Sequence, residues 1–291
     1  TGSGVETMPE LDARARALLA GLREDLQSGA TQLALNTLDE LLSYLDDTKP
    51  GVEALYRLLA ELRAARPSMI VIGNALALIE QRLTSNPHSA RQAVTDTRDQ
   101  LQSATRTITR HARDQLPEAP VIMTHSASSV VLALFRDMAE NHQSFSVICT
   151  QSSPGFEGHS LALALDDLSV PVTLITDAQM GLFVPQADVV ITGCDTWLTE
   201  GYFINKSGTH LLALAAQAAG KPFWVLADSF RTSDADSGSV ELEEMPEEEL
   251  DAPAGEWITP RNVYFELVPK RLVSKRISEQ GVFSCPAGLQ R

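Results

Sequence analysis

The chain has 291 residues, 44% of them apolar and 21% charged, which suits a globular protein of one large or two smaller domains with a sizeable core. Its formal net charge of −15 argues against a nucleic-acid surface, which needs clustered Lys and Arg. No apolar run reaches the roughly 18 residues of a membrane span, and no basic segment leads into an apolar one at the N-terminus, so neither a membrane anchor nor a signal peptide is expected.

The opening Thr1-Gly2-Ser3-Gly4 reads as a vector remnant or a disordered start. From there to about residue 116 the pattern is helical. Leu11, Ala15, Leu18, Leu19, Leu22 and Leu26 recur at steps of three and four, on one helix face. Leu33, Leu38, Leu41, Leu42 and Leu45 repeat the pattern until Pro50-Gly51 breaks it. Two more helices are predicted over 52–66 and 68–83, and a long polar one over 89–114 after Asn86-Pro87. Pro117 and Pro120 then stop helical structure and set the expected boundary between a helical domain, 1–116, and a second domain, 117–291.

Beyond Pro120 short apolar runs alternate with helical stretches. Strands are predicted at 121–123, 145–149, 172–175, 189–191 and 223–226, and helices near 128–140, 158–168 and 208–219. The alternation implies right-handed crossovers. The predicted class is α/β, an N-terminal helical domain followed by a Rossmann-like doubly wound parallel sheet. Ligands of such sheets bind beyond the carboxyl ends of the strands, so function is sought in the segments that follow them. Further on, 233–256 holds ten acidic residues and no basic one; without it the net charge would be about −5. It reads as a solvated, mobile loop dispensable for folding, since it has little to bury.

Two strand-following segments stand out. Thr124-His125-Ser126-Ala127-Ser128-Ser129 leads straight into a helix, where unpaired N–H groups and small hydroxyl residues admit an anion, although one serine there could simply cap the helix. Gly193-Cys194-Asp195 and then Asn205-Lys206-Ser207-Gly208-Thr209 follow the fourth strand. The second of these also opens a helix and offers Lys206 to a phosphate, without the order or spacing of a P-loop. Asp195 at a strand end is a candidate acid or base, or else a turn residue. Cys149, Cys194 and Cys285 match neither a disulfide framework nor a zinc site, so a reducing cytoplasm is the expected setting and no metal or cofactor is expected.

Together these segments resemble the superfamily that holds the alpha, beta and delta subunits of initiation factor 2B with the ribose-1,5-bisphosphate and methylthioribose-1-phosphate isomerases. Thr124-His125-Ser126-x-Ser128 is similar to its Thr-His-(Cys or Ala)-x-Ser segment. Gly193-Cys194-Asp195 and Asn205-Lys206-Ser207-Gly208-Thr209 are similar to its Gly-Ala-(Asp or Glu) and Asn-Lys-x-Gly-Thr pair. Asp177-Ala178, Ala227-Asp228-Ser229-Phe230 and the stretch from Val268-Pro269 to Gly281-Val282 also fit. In the isomerases a cysteine of the first motif and the aspartate of the second form an acid–base pair. Those positions fall on Ser126 and Asp195, the implied catalytic residues here. Thr124, His125, Ser128, Ser129, Asn205, Lys206, Gly208 and Thr209 are the implied ligand contacts, with Gly73 and Asn74 in the helical domain and Gln151 after the second strand.

Three departures from the isomerases weigh on function. A thiol titrates near pH 8.5 and exchanges its proton near neutrality; a serine needs an adjacent base. The isomerases' Arg-Gly corresponds to Val71-Ile72-Gly73-Asn74, and the bisphosphate isomerases' Glu-x-Arg-Pro to Gln151-Ser152-Ser153-Pro154, so two phosphate-binding cations are missing. The alpha subunit of the initiation factor, which has a regulatory role, also lacks the cysteine. The favoured expectation is therefore a non-catalytic or regulatory protein that binds a small phosphorylated ligand, a sugar phosphate or nucleotide. The alternatives are an active aldose–ketose isomerase acting on a phosphorylated pentose, and a pure interaction subunit. A homodimer is expected from the resemblance and from the apolar tail 263–282.

Overall fold

The structure, a computed structural model, describes residues 10–25, 28–67, 69–242 and 244–285. The opening glycine-rich stretch, Leu26 and Ser68 lie outside them. Five helices come first: α1 (Ala13–Glu24), α2 (Ala30–Thr48), α3 (Val52–Ala65), α4 (Ile70–Ser85) and α5 (Ala90–Gln115). The leucine stripes form their common core, with Leu18, Leu22, Leu38, Leu41, Leu58, Leu62 and Leu76 buried. Asp12 caps α1 by accepting from the Ala15 N–H at 2.8 Å, and the Tyr44 hydroxyl of α2 donates to the same carboxylate at 3.0 Å.

By compactness the chain divides into Thr1–Ser103 and Ala104–Arg291, so the division falls inside α5, upstream of the proline-rich break. Ile108 and Ala112 of α5 pack with Ile122, Trp224 and Leu226, which is why the end of this helix belongs with the sheet.

In the second unit the elements run β1 (Val121–Thr124), α6 (Ser129–Glu140), β2 (Ser146–Thr150), α7 (Glu157–Asp167), β3 (Val172–Ile175), a single-turn α8 (Met180–Phe183) and β4 (Val189–Thr192). They continue with β5 (Thr196–Leu198), β6 (Tyr202–Lys206), α9 (Thr209–Ala218), β7 (Phe223–Leu226), β8 (Thr232–Ser233), β9 (Phe265–Pro269), β10 (Lys275–Ser278) and β11 (Gly281–Ser284). The main sheet has the order β11-β10-β7-β4-β1-β2-β3. Its direction of growth reverses between β1 and β4, which pair in parallel through Ile122↔Val189 and Met123↔Val190. That is the switch point at which doubly wound sheets place ligands.

The sheet is not wholly parallel, because β11 returns antiparallel to β10. A second sheet, β8-β5-β6-β9, was not expected from the sequence. Its β5 and β8, of three and two residues, are too short for a pattern to stand out, yet the buried Trp197 and Phe203 rings stack at 5.6 Å across β5 and β6. In the tail, Val268, Leu272, Val273 and Ile277 are buried within the unit's own core, while Val263, Phe265, Leu267 and Val282 are half-buried and Phe283 is exposed.

The acidic segment is solvated, as expected, and is tied to the chain downstream at several points. Its side chains are mostly exposed, but Met245 N donates to the Asn262 carbonyl at 2.7 Å and Asn262 Nδ2 donates to the Pro246 carbonyl at 2.8 Å. Arg261 pairs with Glu244, and the Tyr264 hydroxyl donates to Glu249. The fastening partners lie downstream of the acidic run, where composition alone does not point.

One close approach fixes the entry to α7. A Cβ on Gly158 would stand 1.8 Å from the Thr150 carbonyl oxygen. Gly158→Ala is expected to lower unfolding free energy by about 3 kcal/mol, the upper end for overpacking a tight site. Urea denaturation measures this, and a loss within experimental error would contradict the packing described.

Candidate functional site

The two motifs meet through glycines. A Cβ on Gly193, directly after β4, would lie 2.2 Å from Ser128 Oγ, at the start of α6. Gly208 has φ +106°, and a Cβ there would lie 2.5 Å from His125 Nε2. Only a residue without a side chain lets the loops after β1, β4 and β6 come this close. Ser128 caps α6 by accepting from Val131 N at 3.5 Å, and Ser129 beside it is exposed. The capping reading thus falls to Ser128.

His125 is only 2% exposed and frames the loops from inside. Its Nε2 lies 2.7 Å from the Ser207 carbonyl, which can only accept, so Nε2 carries the proton. Nδ1 therefore accepts from Thr150 Oγ1 at 2.6 Å. That hydroxyl in turn accepts from Ser152 Oγ at 3.0 Å, and Ser152 Oγ accepts from the Ser126 backbone N–H at 2.8 Å. Both ring nitrogens are engaged, so His125 positions the loop instead of offering a free nitrogen to a ligand. Burial, opposed by the Ser207 bond, holds its pKa below the ordinary histidine value.

Ser126 has φ +66° and Ser152 φ +62°, left-handed conformations that cost about 1–3 kcal/mol each and persist only where surroundings impose them. Part of that imposition is Asp177, after β3. Its two oxygens accept from Ser152 N and Ser153 N, each at 2.8 Å.

The Ser126 hydroxyl donates to Glu157 Oε1 at 2.8 Å, at the first residue of α7. The same oxygen is ion-paired with Lys206 Nζ. Lys206 is 4% exposed, and its ammonium also lies 4.8 Å from the centroid of the Tyr264 ring. Burial works to raise the Glu157 pKa, but Lys206, the helix backbone and Ser126 outweigh it and leave it below the ordinary carboxylate value.

Asp195 follows β4, next to β1 in the sheet. Its Oδ2 accepts from Thr196 Oγ1 at 3.2 Å, and its backbone carbonyl from Arg231 at 3.4 Å. The surrounding protein raises its pKa, a rise that solvent reaching the exposed side chain limits. Thr124 and Thr209 are buried; the Thr209 hydroxyl donates to the Lys206 carbonyl at 2.6 Å and accepts from Asn205 Nδ2 at 3.1 Å. Gln151 lies 3.3 Å from His159 Nε2. At the start of α9 the His210 N–H donates to Glu266 at 2.7 Å, so a carboxylate already holds this expected anion position. Gly73 and Asn74 lie on α4 in the first unit, lining a hollow of about 480 Å³ with Arg63 and Arg66. Among the described residues no three His, Cys, Asp or Glu side chains converge as a metal site would need.

The model of the initiation factor 2 subunit family matches residues 12–285. The chain belongs to that family. It is 31% identical to an eIF-2B subunit 2-like translation initiation factor of Pyrococcus horikoshii, over 96% of this chain and all of the relative. It is 29% identical to a ribose 1,5-bisphosphate isomerase of Archaeoglobus fulgidus, over 87% of this chain and 84% of the relative. A crystal structure of the Pyrococcus horikoshii translation initiation factor eIF-2B superposes with a TM-score of 0.74 at 31% identity, over 96% of this chain and all of that one. The family thus includes proteins named for translation and proteins named for isomerase chemistry.

Sequence reasoning passed over Glu157, Asp177, Tyr264 and Glu266 as site residues. Glu157 opens a helix after a strand-following loop, the same placement that singled out Ser128 and Thr209. Asp177 follows β3 in the same way. Tyr264 and Glu266 arrive from more than fifty residues downstream, and no local pattern marks them.

The His125 chain carries a pH signature. Its folded-state pKa is depressed, so below the unfolded-state value near 6.5 the unfolded chain takes up a proton that the folded chain refuses. Stability is expected to fall as pH drops from 7 toward 5, by at most about 1.4 kcal/mol per pH unit from this residue. Denaturation of wild type and His125→Gln across that range separates it from the carboxylates: the variant should show the shallower slope, and equal slopes would contradict the assignment.

Proposed function

We propose that this chain is a non-catalytic, regulatory member of the family that binds a small phosphorylated ligand, a sugar phosphate or nucleotide, beyond the ends of β1 and β4. The observation that carries the reading is the bond from Ser126 to Glu157. An acid–base pair acting on a sugar needs a group that trades protons near neutrality. Here the hydroxyl at that position donates to a carboxylate whose low pKa makes it a weak base, and Lys206 keeps it so. Ser126 therefore serves as a hydrogen-bonding contact.

In this reading the phosphate lies by the exposed Ser129 at the start of α6, where helix N–H groups and the dipole favour an anion. Hydroxyls of the ligand face Asp195, Ser126, Gln151 and Asn205. We also read the protein as a cytoplasmic homodimer. Support for the dimer rests on exposed Leu163, Leu211, Leu214 and Phe283 in the second unit, the last of them at the end of the apolar tail. Sedimentation should give about twice the 31.5 kDa chain mass at micromolar concentration; a monomer alone would count against it.

A second reading, an isomerase of altered specificity, is favoured by one observation, the retained Asp195 with its raised pKa. Turnover assays on ribose 1,5-bisphosphate and methylthioribose 1-phosphate separate the two. No turnover is expected from wild type, with sugar monophosphates or nucleoside monophosphates raising the melting temperature by the equivalent of about 2.7 kcal/mol at a hundred times Kd. Fast turnover that Asp195→Asn abolishes would establish the isomerase instead, and a panel without any shift or turnover would favour a pure interaction subunit.

A further inference from the structure

Resting on the ligand-binding reading, we propose that Glu157 sets the ligand class of this pocket: by occupying the Lys206 ammonium it admits ligands with one phosphate and rejects those with two. Lys206 is the cation that the Asn205–Thr209 motif contributes, and it is buried on β6. Its Nζ is ion-paired with Glu157 Oε1, and that oxygen also accepts the Ser126 hydroxyl at 2.8 Å. A second phosphate arriving at Lys206 must displace a carboxylate that is held from two sides.

The rest of the wall repeats the arrangement. Arg231 pairs with Asp228 at 3.6 Å. The start of α9 is held by Glu266, the consecutive N–H groups of Ser152 and Ser153 by Asp177, and the Tyr264 hydroxyl by Glu249. Carboxylates of this chain stand at the cationic and N–H positions where a second phosphate could settle. A doubly charged group entering among them meets Glu157 and Asp195, while Lys206 and Arg231 are already paired with carboxylates. A hydroxyl-rich ligand suits the same wall, because hydroxyls donate to carboxylates.

Glutamine is the informative replacement. Its amide oxygen can still accept from Ser126, it nearly preserves shape, and it releases the full charge of Lys206. Leaving that ammonium unpaired in a buried site is destabilising, so a double variant, Glu157→Gln with Lys206→Met, provides an uncharged pair of similar volume.

Isothermal titration of ribose 1-phosphate, ribose 5-phosphate and ribose 1,5-bisphosphate into the three proteins tests the proposal. Wild type is expected to bind the better monophosphate at least tenfold more tightly than the bisphosphate. Glu157→Gln should shift that ratio toward the bisphosphate by at least tenfold, and the double variant should lose the gain. A wild type that binds the bisphosphate as tightly as either monophosphate overturns the proposal, and this holds even if the single variant does not fold. A ratio left unchanged by Glu157→Gln overturns it too, while the ligand-binding reading stands. If none of the three probes binds wild type or variant, the proposal is overturned, and the ligand-binding reading is then decided by the nucleoside monophosphates of the melting panel.

Discussion

A buried ammonium is the constraint from which the site is organised. Lys206 lies on β6 almost wholly out of water, and a charge so placed must find a partner or lose its proton. Glu157 supplies the partner from the first residue of α7, and the Tyr264 ring supplies a second favourable face. The consequences spread outward. Sharing Glu157 commits the Ser126 hydroxyl, and Tyr264 is in turn fixed by Glu249, so the acidic strap is fastened to the residue whose ring faces Lys206.

A second, uncharged line of contacts runs beneath the first. From the Ser126 N–H it passes through Ser152, Thr150 and His125 to the Ser207 carbonyl, every proton having an acceptor. The Ser207 N–H and hydroxyl donate to the Tyr264 and Val263 carbonyls, each at 2.6 Å. The charged and neutral networks therefore share their two ends, the Ser126 loop and the 263–264 segment. Unsatisfied groups at such depth are costly, which makes this corner of the fold rigid and specific.

Much of this was legible in the sequence. The leucine stripes of α1 to α4 and the apolar runs that became β1, β2, β3, β4 and β7 are visible in the order of residues. β5 and β8, of three and two residues, carry too few positions for any pattern to show. At the site, the motifs gave Ser126, Asp195 and Lys206 but not their electrostatic state. Lys206 read as a free phosphate ligand because nothing near it in sequence is acidic, whereas its partner comes from forty-nine residues upstream. His125 read as a contact because it sits in a motif; its burial became visible only once β2 and Ser207 were placed around it. The contacts that tie down the acidic run were hidden for a similar reason, since Arg261, Asn262 and Tyr264 lie outside it.

The central claim is that Lys206 and Glu157 satisfy each other and leave Ser126 a hydrogen-bonding group. A high-resolution crystal structure with ribose 5-phosphate bound tests it most directly. The account expects the phosphate by Ser129 at the start of α6, the Lys206–Glu157 pair intact, and the Ser126 hydroxyl within hydrogen-bonding distance of the sugar or of Glu157. A phosphate seated on Lys206 with Glu157 turned away would contradict it.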